Sequence, residues 1–116
     1  MITDDYVSFG TAKLLKEKGF DVYVSSFYDN EGKFNRKEAD WNWNIGRRYS
    51  DPTLQMTMKW LRKVHNLHVE VHYNTFWDYY QYIILYRGEK IESDMAYHSF
   101  EDAAEAVIKF CLKKLI

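Results

Sequence analysis

Residues 63–73 read KVHNLHVEVHY, and the fold is decided by the change of period inside them. Up to Asn66 the spacing is helical. Leu54, Met58, Leu61 and His65 fall at i, i+4, i+7 and i+11, and Trp60 and Val64 widen that stripe. Gln55, Lys59, Arg62, Lys63 and Asn66 take the opposite face. From Leu67 onward the period is two: Leu67, Val69, Val71 and Tyr73 alternate with His68, Glu70 and His72. The spacing predicts a helix over 52–65 and a strand over 67–73, with Asn66 as the left-handed residue between them. Ser50 or Asp51 would cap the helix, and Pro52 stands near its first position, where a missing N–H costs nothing.

Downstream, NTFWD reads as a turn, YYQYIILY as a second strand from about Tyr79 to Arg87, and RGEK as another turn. IESDMAY offers a third strand, Ile91 to Tyr97. Ser99 then caps a last helix, and Asp102 stands at the position that can reach back to it. Phe100, Ala103, Ala104, Val107, Phe110, Cys111 and Leu115 form the apolar face of that helix.

Upstream, Ser8 caps FGTAKLLKEK, which ends at Gly19 with Phe20 placed to clasp Leu15. VYVSSFY, Val22 to Tyr28, reads as a strand, and DNEG turns it into a short return strand. In RKEADWNWNIGRRYS, Trp41, Trp43 and Ile45 alternate with polar residues. Both an edge strand and an ordered loop fit this segment.

Neighbouring strands joined by short turns, with helices before and after, give an α+β fold. The expected architecture is one domain over residues 1–116, a mainly antiparallel sheet of three to five strands covered by two or three helices. Hydrophobic residues make up 47% of the chain, enough for a core without staples. The longest apolar run, Tyr82 to Tyr86, is too short to span a bilayer, and MITDDY lacks the basic start of a signal peptide. A lone cysteine, Cys111, cannot close an internal disulfide. A cytoplasmic home with no membrane partner is therefore expected.

The net charge of −1 names no partner, but its distribution is uneven. Residues 33–63 hold eight basic and three acidic side chains, whereas the rest of the chain holds eight basic and fourteen acidic.

Three segments carry a resemblance. AKLLKEKGF, PTLQMTMKWLRKVHNL and SFEDAAEAVIKFCLKKLI, about 43 of the 116 residues, resemble a family of small uncharacterised proteins widespread in gut bacteria and their phages and prophages. The resemblance implies an α+β domain and a phage-linked setting. It brings no catalytic residue with it.

No HExxH, Gly-rich phosphate loop or GxSxG is present, so neither an enzyme nor a cofactor is expected. If 67–73 is a strand, His68, Glu70 and His72 point to one side, with successive Cβ atoms about 6.6 Å apart. That spacing suits a zinc or nickel ion. It equally suits the wet face of an antiparallel strand, which is the expected reading. The abundance of tyrosine points elsewhere. Tyr80, Tyr82 and Tyr86 share a strand face with Ile84, and that face is the expected interaction surface for a protein partner, foremost a homodimer. The alternative is a nucleic-acid-binding accessory protein. Trp41 and Trp43 would stack on bases while Arg47 and Arg48 hold phosphates. A pI near 6.4 counts against it.

Overall fold

The computed structural model describes residues 4–116. The fold is α+β with antiparallel pairing throughout, and its strands fall into two separate three-stranded sheets. The chain divides into two compact units that meet in sequence at Thr53 and Leu54.

The first unit opens with α1 (Phe9–Glu17), capped by Ser8, whose hydroxyl accepts from the Thr11 amide at 3.3 Å. Gly19 takes φ +83°, and the Phe20 amide reaches back to the Leu15 carbonyl at 3.0 Å. The helix ends in the expected clasp, with both side chains buried. β1 (Val24–Tyr28) is the middle strand of its sheet, flanked by β2 (Phe34–Trp41) and β3 (Tyr49–Ser50).

The return strand β2 is longer than its sequence suggests, because its register breaks. Val24 pairs with Trp41 but Ser26 pairs with Arg36, so four residues of β2 bulge out against one of β1. A bulged strand shows no period of two, which is why 36–41 read ambiguously. Trp43 and Ile45 belong to no strand. They lie in the connection from β2 to β3.

The second unit runs α2 (Leu54–His65), β4 (His68–Asn74), β5 (Tyr79–Tyr86), β6 (Glu89–Glu92), α3 (Phe100–Phe110) and a π-helical turn, Cys111–Leu115. α2 starts later than predicted. Ser50 is paired in β3, and Asp51 and Pro52 precede the helix, so none of the three serves as the expected cap or first turn. At its other end Asn66 takes φ 54° and the Leu67 amide bonds to the Leu61 carbonyl, as the change of period requires. Val64 departs from expectation and faces solvent, while Thr57 is buried in its place.

The two helices contact β4 and β5 and each other. The core between them and the sheet contains Leu61, Leu67, Ile84, Ala104, Val107, Ile108 and Leu112. Ser99 caps α3, its hydroxyl accepting from the Asp102 amide at 3.0 Å. β5 to β6 closes with Arg87 and Gly88 both at positive φ, the two-residue turn that matches strand twist. β6 stops at Glu92, six residues after Tyr86, and beyond it the Ser93 bonds to Tyr82 and a bridge from Tyr97 to Tyr80 continue its line.

Candidate functional sites

Register settles which face of the second sheet is free. His68, Glu70 and His72 oppose Leu85, Ile83 and Gln81 on the outer face. Tyr80, Tyr82, Ile84 and Tyr86 therefore lie on the inner one, toward the helices. Tyr82 is 8% exposed, stacked on Tyr97 and tilted against Phe110. Burial raises its phenol pKa above 10.0, with Tyr97 adding to the effect. Tyr80 meets Phe100 of α3 edge-on, and Arg87 lies over the Tyr86 ring. Of the three tyrosines expected on an interaction surface, Tyr82 is buried against Tyr97 and Phe110, whereas Tyr80 and Tyr86 stay half-buried.

On the outer face the histidines turn to different neighbours. His68 Nε2 lies 2.9 Å from the Asn66 amide oxygen, and His72 Nε2 lies 3.2 Å from Glu70 Oε2. His65 packs edge-on against Trp60. Among the described residues no three His, Cys, Asp or Glu side chains converge as a metal site would need. Lys90 and Glu92 pair at 2.9 Å further along this face.

Trp41, Trp43, Arg47 and Arg48 do come together. With Asn42 and Ile45 they line an open cleft of about 430 Å3 in the first unit. Its floor is fixed by hydrogen bonds. The Trp43 indole N–H donates to the Val24 carbonyl at 2.7 Å, and its ring stacks on Phe27 with centroids 4.6 Å apart. The Asn44 side chain donates to the Phe20 carbonyl and accepts from the Ser50 amide, both at 2.8 Å. Lys16 of α1 donates to the carbonyls of Gly46 and Arg48. These bonds leave Trp43 as floor and Trp41 as wall. Trp41 is 51% exposed and rests against Tyr23. The Arg48 guanidinium lies over the Phe27 and Trp43 rings. Among the described residues neither Arg47 nor Arg48 makes an ion pair.

The residues that sequence reasoning missed stand on the β4–β5 turn. Phe76 is 81% exposed and Trp77 68%, the two rings edge to face at 4.8 Å. The loop beneath them is tied. Asn74 Oδ1 accepts from the Phe76 and Trp77 amides at 3.0 Å each, and the Asp78 amide returns to the Asn74 carbonyl at 2.9 Å. Asp78 sits at φ 56° and its carboxylate accepts a hydrogen bond from the Tyr73 hydroxyl at 2.6 Å, a bond that raises the Tyr73 pKa. A signal was present in the sequence. Two large aromatics in succession cannot both face one core from a four-residue turn.

Cys111, the lone cysteine, is fully buried, and burial pushes its thiol up to about 12. Among the described residues no helix is long and apolar enough to cross a membrane. Compared with family models, with curated proteins and with solved structures, the chain matches none.

Proposed function

We propose that this chain is a non-catalytic protein-interaction module that associates with copies of itself, and that the contact is carried by the Phe76–Trp77 tip. The observation that carries the reading is the combination of exposure and order at that tip. Two rings left in water on a flexible loop would be unremarkable. Here four hydrogen bonds among five residues, from Tyr73 to Asp78, fix the turn that carries the rings, so little backbone ordering remains to be done on binding. Aromatic anchors of this kind dominate interface energetics. Cys111 stays a buried thiol, in keeping with a reducing cytoplasmic setting.

Sedimentation at micromolar concentration tests the reading. The expected result is a mass at least twice the 14.0 kDa chain, returning to one chain in Trp77→Ala. A single-chain mass at every concentration rejects self-association.

A second reading has its own support. Trp41 is exposed beside two arginines that make no ion pair among the described residues, the arrangement by which single-stranded nucleic acid is held through stacking and backbone charge, although Asp29 lines the same cleft. Trp43 is too deeply engaged to stack, so Trp41 would carry the base. Trp41→Ala should weaken a labelled oligonucleotide by roughly 5- to 150-fold in fluorescence anisotropy. Arg47→Ala with Arg48→Ala should flatten the salt dependence. The absence of micromolar binding near physiological salt removes this reading.

A further inference from the structure

We infer that the aromatic tip of one copy docks in the Trp41–Arg48 cleft of a second copy. This rests on the self-association proposed above and adds where the tip goes.

The first argument is charge. From Val64 to Tyr86 there is no Lys or Arg, and from Ile91 to Ile108 there is none either. These two segments meet where Tyr97 and Phe100 pack on Tyr80, two residues from the tip loop. Those two segments carry Asp78, Glu101 and Asp102 and no Lys or Arg of their own. The tip therefore suits an apolar, cationic receptor and repels an anionic one such as nucleic acid or an acidic membrane. The cleft has that character. It offers a Trp wall, Ile45 and two arginines without ion pairs against the single carboxylate of Asp29, a net positive lining, and a guanidinium against an aromatic ring is a favourable contact.

The second argument is shape. A contact of tip with tip across a two-fold axis would bury only the four rings, at about 150–250 Å2 each, and would oppose Asp78 to Asp78. Two rings in a cleft with a like area of wall bury about as much, so what separates the two contacts is the opposed Asp78 carboxylates rather than area. A convex tip in a cleft of about 430 Å3 buries the rings on all sides and adds the cleft walls. Each copy then offers one tip and one cleft. Two copies can then exchange tips reciprocally about a two-fold axis, or pass them on into a ring or a chain.

Complementation decides the matter. The tip variant is Phe76→Ser with Trp77→Ser, and the cleft variant is Arg47→Glu with Arg48→Glu. Trp41→Ala serves as a second cleft variant should charge reversal disturb the loop. Circular dichroism confirms that each is folded. At a concentration where the unaltered chain assembles, each variant alone should sediment as one chain. Their equimolar mixture should give a species of two chains and nothing larger, since one tip and one cleft remain. Both cleft variants assembling like the unaltered chain would overturn the inference and leave the tip reading standing. A mixture that stays at one chain would also overturn it. Trp77-dependent uptake onto phosphatidylcholine vesicles, with no assembly in solution, would overturn it in favour of a lipid surface. An unaltered chain that never assembles removes the underlying reading instead.

Discussion

Two aromatic groups lie within eleven residues of each other on one hairpin, and they meet opposite fates. Tyr80 and Tyr82, on β5, are covered by α3 and its approach. Phe76 and Trp77, on the turn that leads into β5, project into solvent. Composition does not separate the groups, since both are rich in large rings. What separates them is position along the strand. Residues at alternate places on a paired strand share whatever covers that face, whereas turn residues have no face to share. An aromatic-rich strand is thus weak evidence for a partner surface, and an aromatic-rich turn is stronger evidence.

The comparison breaks first on stability. Ile84→Ala, on the inner face and fully buried, should cost about 2–5 kcal/mol in chemical denaturation. Tyr82→Ala should cost about 3–5 kcal/mol on the same scale. Losses below about 1 kcal/mol at both would mean that α3 does not cover this face, and the tyrosines would return as surface candidates.

Alkaline pH probes the same core. The Cys111 thiol is raised from 9.0 to about 12 by burial. The folded chain therefore keeps its proton where the unfolded chain releases it. The contribution is complete below pH 9 and is lost as pH rises toward 12, at about 1.4 kcal/mol per pH unit. Tyr82, raised by burial above 10.0, adds to the loss in its upper part. In Cys111→Ala the fall between pH 9 and 10 should be shallower than in the unaltered chain. Equal slopes would show that the thiol is wet.

The fold was legible wherever one local rule acted alone. The Leu67 switch from helix to strand, the Ser8 and Ser99 caps and the Gly19 and Asn66 terminations all follow from neighbours within five residues. Reading failed where distant pairing intervened. Ser50 looked like a helix cap but is held by β1, where it pairs with Phe27. Lys37 to Asp40 showed no period because they form a bulge, which only the partner strand defines. Trp41, Trp43, Arg47 and Arg48, grouped from the sequence, do line one cleft, yet their division into fixed and free depended on the Trp43 bond to Val24, nineteen residues away. The tyrosines were assigned to the right strand face, but sequence does not say which face the helices take.

Turns provide a smaller effect. Gly32 has φ +83°, and a Cβ there would meet the Phe9 ring at 2.9 Å. Gly32→Ala should cost about 1–2 kcal/mol from the left-handed backbone alone, before the ring gives way. Asn74→Ala, which removes the acceptor for two tip amides, should cost a similar amount. If Asn74→Ala is neutral, the tip is not held as described, and its order no longer supports a binding role.

The smallest expected effect on stability is the most informative. Trp77→Ala should change the unfolding free energy of the single chain by less than about 0.5 kcal/mol, as an exposed side chain away from special features does. Its ring touches only Phe76 among the aromatics, and the turn hangs on Asn74, Asp78 and Tyr73 rather than on the indole. The backbone amide of residue 77 is kept in the variant, so the bond to Asn74 survives. Dilute denaturation and concentrated sedimentation should therefore give different answers for one substitution: unchanged folding and lost association. Ile84→Ala should show the reverse order, with folding hurt first. A Trp77→Ala loss above about 1 kcal/mol at dilution would mean that the indole packs within its own chain. The tip would then be part of the core rather than an anchor left in solvent, and the contrast between turn and strand face would dissolve.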